Sequence, residues 1–424
     1  MRTSFQSALT ISLAAALLAG CGGSQLKIGA PSVMPQALAI APGTTSTNYK
    51  VVYSFGNPPD GSYPTASLID MGGTLYGTTA GGGSNSCAYY PYSPYFGCGT
   101  VFSITPSGTE KVLYNFGSAP DGSVPYGNLR DVGGTLYGTT VYGGSYTCGY
   151  RSQPFSCGTV FTITTSGTER VLHNFGQEGD GRYPLSGLIK VQGTLYGTTS
   201  GGGANYCAPY QYNIHCGTVF SITPGGTEDV LHSFGPARRR ANTPLDSLID
   251  VGGKLYGTTK RGGRHGFGAI FSITLRGGLK VVHYFGGTDG SAPVAGLIEV
   301  NGTLYGTTSA GGANGDGTVF SITPDGTEKV LHSFGALDGA DPTAGLTTVK
   351  STLYGTTRGG GAHGGGTIFS ITTSGRERVL HSFGGSGSDG RSPYGRLTGV
   401  RGTLYGTTEF GGTYGDGTVF ALTP

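Results

Sequence analysis

Tryptophan is absent from this chain of 424 residues, charged side chains make up only 12% of it, and the familiar catalytic spacings are missing. Charge this sparse excludes a disordered polyelectrolyte, and a net charge of +3 over such a length excludes nucleic-acid binding driven by overall charge. The composition also fails to fit a helical bundle. No HExxH, GxSxG or CxxC spacing occurs, and no Ser-His-Asp set is recognisable. Matches to glycine-rich phosphate loops are expected by chance in so glycine-rich a chain, and none opens a helix. Beyond residues 8–19 no apolar run is long enough to span a bilayer.

What the chain has instead is glycine, 83 residues of it, and an aromatic content of 11% that is mostly tyrosine. Leu-Tyr-Gly-Thr-Thr recurs with its tyrosine at Tyr76, Tyr137, Tyr196, Tyr256, Tyr305, Tyr354 and Tyr405. Successive tyrosines are 61, 59, 60, 49, 49 and 51 residues apart, which is too long for leucine-rich or ankyrin repeats and in the range of propeller blades. Each unit holds four strand candidates, in the second unit 127–132, 135–140, 159–164 and 169–175. β-Branched and aromatic residues fill them, and Gly and Ser mark the turns. In Val101-Phe102-Ser103-Ile104, Phe102 and Ile104 face one way and Val101 the other, as expected of sheets covered on both sides. The repeat begins with a lone fourth strand at 49–55 and ends after a third strand at 418–423. The two halves complete one blade. The expected fold class is therefore all-β: a seven-bladed β-propeller of four-stranded blades, closed by pairing of the N-terminal strand into the last blade. The seven tyrosines read as packing residues between blades.

The N-terminus points to export. Residues 1–20 carry an early positive charge at Arg2, an apolar stretch and small residues at the end, a signal peptide rather than a membrane span. Leu18-Ala19-Gly20-Cys21 resembles a bacterial lipobox. That resemblance implies cleavage before Cys21, acylation of its thiol, and a membrane contact made through the acylated Cys21. Gly22 in place of Asp implies an outer-membrane lipoprotein facing the periplasm or the cell surface. Residues 21–48 have no repeat register and read as a tether, with the propeller at 49–424. The whole unit, P-x-x-x-L-x-x-V-x-G-x-LYGTT-x-x-GG…GTVFSIT-x-x-G-x-E-x-VLHSFG, resembles the GloVer tandem-repeat proteins of bacterial envelopes over nearly all of residues 49–424. The resemblance implies an anchored, exported protein and specifies no chemistry.

Departures from the repeat mark candidate sites. The loops between second and third strands are long in the first three units (80–98, 141–157, 200–216) and eight residues long in the last four. With the connections between units they belong to one face. Each long loop carries a cysteine pair, and an exported chain meets an oxidising compartment, so the expected disulfides are Cys87 with Cys98, Cys148 with Cys157 and Cys207 with Cys216. The same loops concentrate tyrosines: Tyr89, Tyr92 and Tyr95, then Tyr146 and Tyr150, then Tyr206, Tyr210 and Tyr212. Such rings suit recognition, or pack the loops themselves. In the fourth unit the connection reads PARRRANTP, with Arg238, Arg239 and Arg240, and the loop reads KRGGRHGF, with Lys260, Arg261 and Arg264. The cluster is either a solvated patch or an anion site.

Asp60, Asp121, Asp180, Asp289, Asp338 and Asp389 precede glycines in the connections and read as turn formers, with a cation ring at the channel mouth as the alternative. His173, His232, His283, His332 and His381 share one repeat position but fall in different units, so they do not converge on one metal and read as packing residues. No cofactor, metal or catalytic residue is assigned. The favoured expectation is a monomeric, non-enzymatic binding propeller with an acidic polysaccharide or an envelope protein as partner and no nucleic acid. A polysaccharide hydrolase or lyase with carboxylates at the channel mouth, and a purely structural scaffold, are the alternatives. Replacing Cys21→Ser should move the protein from the membrane to the soluble fraction on centrifugation; retention in the membrane would place the anchor elsewhere.

Overall fold

The computed structural model describes residues 47–87, 97–148, 156–205, 216–235 and 241–424. Seven four-stranded antiparallel sheets make a seven-bladed β-propeller. The first blade runs Ile69–Met71, Thr74–Thr79, Thr100–Ile104 and Glu110–Asn115 from the innermost strand outward. The ring closes as the sequence predicts. Asn48–Ser54 pairs antiparallel with Thr418–Thr423 and becomes the outermost strand of the last blade. Leu75 faces Ile104 and Thr79 faces Thr100 across one blade, so both short turns lie at one end of the sheet and the longer segments at the other.

Two local features depart from the expected strands. The inner strand of the second blade is only Arg130–Val132 rather than 127–132. A Cβ on Gly127 would lie 2.5 Å from the Ser186 carbonyl of the next blade, so the backbone there is wedged against its neighbour at the narrow end of the blade. Short two-residue ladders also link connections to the segments after LYGTT, as in Gly61–Ser62 with Gly81–Gly82. No alternating pattern announces them because glycine supplies half of the residues.

The seams between blades repeat one contact. A phenylalanine just past each outermost strand meets a phenylalanine of the next blade's third strand edge to face, with ring centroids 5.0–5.3 Å apart, from Phe55 on Phe102 round to Phe383 on Phe420. Such a pair contributes about 0.5–1.5 kcal/mol beyond the area it buries. The glycine of LYGTT makes room for that ring. At Gly306 a Cβ would stand 2.6 Å from Phe320 Cζ, and the other six copies are similarly crowded. The LYGTT tyrosines are buried or nearly so between blades, Tyr256 being 5% exposed and Tyr305 7%. This accounts for the motif's repetition.

Paired threonines knit second strand to third. Thr79 and Thr100 hydroxyls lie 2.8 Å apart, and five other blades repeat the bond. Blade four does not. Ala269 replaces the second threonine and the Thr259 hydroxyl is left buried without a partner. The glycine that elsewhere faces the threonine pair is here Ala241. A Cβ at the equivalent Gly61 would be 2.4 Å from Thr79 Oγ1 and 2.7 Å from Thr100 Oγ1, so the Ala241 methyl occupies space that the missing hydroxyl vacates. The two alanines form a compensated swap. Ala269→Thr alone should lower stability by about 1–3 kcal/mol through overpacking. Adding Ala241→Gly should recover most of the loss, and a urea-denaturation double-mutant cycle without positive coupling would contradict the swap.

Candidate functional site

The innermost segments of the seven blades surround a cavity of about 1950 Å³. Each contributes a Pro-x-x-x-Leu stretch, and the middle positions face the axis. Six blades carry a small residue at the second position after proline, and five carry glycine or serine at the third. The exceptions gather charge. Blade four has Asp246, blade seven has Arg396, and blade two has Asn128, whose Oδ1 accepts a 2.7 Å bond from Ser67 N–H in blade one. Arg396 reaches past blade six to blade five, where Nη2 donates to Leu297 O at 3.2 Å. Gly345 leaves it space, since a Cβ there would lie 2.6 Å from Nη2. Burial lowers the Arg396 pKa while the Asp246 carboxylate pulls it back. Asp246 in turn accepts a 2.6 Å bond from Ser247 N–H and another from Gly296 N–H.

The position after LYGTT, where Ser200 and Lys260 line the cavity, repeats this asymmetry. The residue after LYGTT is Ala80, Val141, Ser200 or Ser309 in four blades but Lys260, Arg358 and Glu409 in the others. Arg358 Nη2 bonds Glu409 Oε2 at 3.2 Å, with the Glu409 side chain 4% exposed. Burial raises the Asp341 pKa against the opposing pull of Arg358 and Lys260. Tyr394 stands edge-on to Tyr126 with centroids 5.4 Å apart, and burial raises its phenol pKa. Lined up by repeat position, these departures were visible in the sequence. Sequence reasoning overlooked them because it compared loops and not channel positions.

The cavity opens on the long-segment face over blades two to four, where Thr147, Cys148, Arg182, Tyr183, Lys260 and Arg261 line it. Arg264 lies outside the lining and is exposed. Tyr146 is exposed, and its hydroxyl accepts a 3.1 Å bond from Gln177 Nε2. Tyr89, Tyr92, Tyr95, Tyr150, Tyr206, Tyr210, Tyr212 and Arg238, Arg239 and Arg240 lie outside the described residues, as does Cys21. Disulfides join Cys87 to Cys98 and Cys148 to Cys157. Cys216 is also disulfide-bonded, and Cys207, the partner expected for it, lies outside the described residues.

Of the connection aspartates Asp180 lines the cavity, and the other five do not. They turn the chain, as Asp60 does by accepting from Gly56 N–H at 2.9 Å and Gly61 N–H at 2.7 Å, and they bond the preceding outermost strand. In four seams the outer-strand partner is a histidine: His173 to Asp180, His283 to Asp289, His332 to Asp338 and His381 to Asp389, at 2.9–3.3 Å. In two it is a tyrosine, Tyr53 to Asp60 and Tyr114 to Asp121. The packing reading of the histidines holds, since all five lie edge to face with the phenylalanine two residues on, at 4.8–5.1 Å; four of them also find a carboxylate, because the turn brings back a residue six to eight positions on. A glutamate that opens the next blade's outermost strand completes five of these clusters.

Burial, and then the neighbouring aspartate, push Glu110 and Glu169 up to about 7, with a bond from Tyr114 opposing the rise at Glu169. Carboxyls with raised folded-state pKa favour folding below their unfolded value of 4.5 and lose that contribution as pH climbs through about 7. In the presence of chelator, the double variant Glu110→Gln/Glu169→Gln should therefore be more resistant to urea than the parent at pH 8 and lose that advantage at pH 4. Equal effects at both pH values would contradict the assignment.

No curated protein sequence matches the chain. Among solved structures, a gluconolactonase from Xanthomonas campestris aligns at 13% identity and a TM-score of 0.38, over 69% of this chain and 90% of its own. A putative 6-phosphogluconolactonase from Bacteroides uniformis aligns at 12% identity and 0.46, over 75% and 84%. The profile of the Gloeobacter/Verrucomicrobia repeat matches residues 39–210 and 207–420, which together span nearly all of the blades. With its seven LYGTT units and closed ring, the chain belongs to the Gloeobacter/Verrucomicrobia repeat family.

Proposed function

We propose that this chain is an exported propeller, tethered through acylated Cys21 to the outer membrane, that binds an acidic polysaccharide at the long-segment mouth of its channel. The observation that carries this reading is the position of the cavity, which opens beside Arg182, Lys260 and Arg261 in the blades where the repeat is broken. Arg182 keeps a buried Nε with no partner, a donor that a carboxylate or phosphate oxygen would satisfy. Arginine pairs bidentately with such groups, and tyrosine faces such as Tyr183 suit the flat side of a sugar ring. A partner protein with an acidic surface would meet the same groups, but a cavity of about 1950 Å³ favours a chain that enters it.

Exposed ion pairs contribute only about 0–1 kcal/mol each, so affinity rests on several together and falls with salt. Lys260→Ala/Arg261→Ala should weaken binding of an acidic glycan by about 3–30-fold, whereas Lys350→Ala on the opposite face of blade six should leave it unchanged. A glycan array with salt titration checks this. Binding indifferent to the double variant removes the proposal, and shortened glycan products in the same incubation would favour the hydrolase or lyase reading instead.

A further inference from the structure

We propose that three of the seams between blades, two to three, four to five and five to six, each bind one divalent transition-metal ion of the zinc type. At each, the outermost strand supplies a histidine, the connection supplies an aspartate, and the next blade's outermost strand supplies a glutamate. The sets are His173, Asp180 and Glu228; His283, Asp289 and Glu328; and His332, Asp338 and Glu377. One donor atom from each residue lies within 4.8 Å of the other two. Zinc holds imidazole nitrogen at about 2.0–2.1 Å and carboxylate oxygen at about 2.0–2.2 Å, so tetrahedral ligand atoms stand about 3.3–3.5 Å apart. The histidine and aspartate donors are already 2.9–3.2 Å apart. A small rotation of the glutamate completes the set.

Two independent observations separate these clusters from ordinary surface acids. The first is the glutamate itself: Oε1 of Glu228, Glu328 and Glu377 is buried without any hydrogen-bond partner, as it is in Glu110 and Glu169, and a carboxyl oxygen of each of the three lies within 4.8 Å of the aspartate and imidazole donors. An unpaired buried oxygen of this kind costs about 1–3 kcal/mol or more, and a cation would satisfy it. The second is a comparison inside the molecule. In the last seam Tyr49 stands where the others have glutamate; its hydroxyl donates to Asp389 at 2.6 Å and its ring stacks on His381 at 3.6 Å. A neutral donor closes that cluster from within. In the seam between blades three and four, Leu279 replaces the glutamate and no aspartate-glycine turn is written. Two carboxyl groups face one imidazole only where nothing internal can bridge them.

The surroundings suit a metal. Gly286 N–H and Gly335 N–H bond Oδ1 of Asp289 and Asp338 at 2.7 Å, which holds the other oxygen on the imidazole. The three histidine side chains are 16–20% exposed, which admits an ion and leaves room for water as a fourth ligand. Each ion would tie the outermost strands of two blades, so occupancy would brace the ring. The two seams with tyrosine in the histidine position lack the nitrogen donor and would bind zinc more weakly.

Zinc titration calorimetry on the full chain after chelator treatment should give three equivalents. His283→Gln should give two, the triple variant Glu228→Gln/Glu328→Gln/Glu377→Gln none, and Glu110→Gln/Glu169→Gln still three. Cobalt in place of zinc should show visible ligand-field bands without a thiolate charge-transfer band, and zinc should raise the thermal midpoint of the parent but not of the triple variant. Fewer than three equivalents in the parent, an unchanged stoichiometry in the triple variant, or a thiolate signature overturns the proposal.

Discussion

Every seam of the ring depends on one edge-to-face contact between phenylalanines of adjacent blades, and much of the repeat can be understood as making room for it. The third strand must present the ring, the outermost strand must deliver its partner, and the second strand must carry glycine where the ring lies. Because the contact recurs at seven seams with centroids 5.0–5.3 Å apart, no blade can tilt without disturbing two neighbours. Seven equal wedges then close a circle only if the first and last are joined. The pairing of Asn48–Ser54 with Thr418–Thr423 supplies that joint and gives the last blade its fourth strand.

Within so regular a frame, function has to come from departures. The positions around the channel tolerate them because they face a cavity rather than a neighbouring sheet, which is why Asp246 and Arg396 can replace small residues without disturbing the seams, while Arg358 and Glu409 replace small residues as a pair that bonds to itself. Blade four shows the limit inside the packed layer: Ala269 is accompanied by Ala241 at the facing position. Electrostatics follows the same division. Charges at the channel belong to single blades, whereas the His-Asp-Glu clusters at the outer seams recur because the repeat writes all three residues.

The contrast at the last seam is instructive about buried charge. Burial alone would raise the Asp389 pKa, yet bonds from His381 and Tyr49 hold it down to about 2. Where glutamate takes the place of Tyr49, burial and the neighbouring aspartate push that glutamate up to about 7. One substitution at one repeat position changes a satisfied carboxylate into a pair of competing ones.

By itself, the sequence determined the blade count, the strand order, the closure and the cysteine pairing inside two loops, because repetition and alternation are local signals that the backbone must obey wherever they occur. It also placed Lys260 and Arg261 on the face where the cavity opens. The sequence did not disclose that Arg396 reaches blade five, or that the connection aspartates meet a histidine or tyrosine behind them and, in five seams, a glutamate from the next blade. Those meetings join segments separated by as many as 100 residues or by a seam between sheets, and only closure of the ring sets their distances.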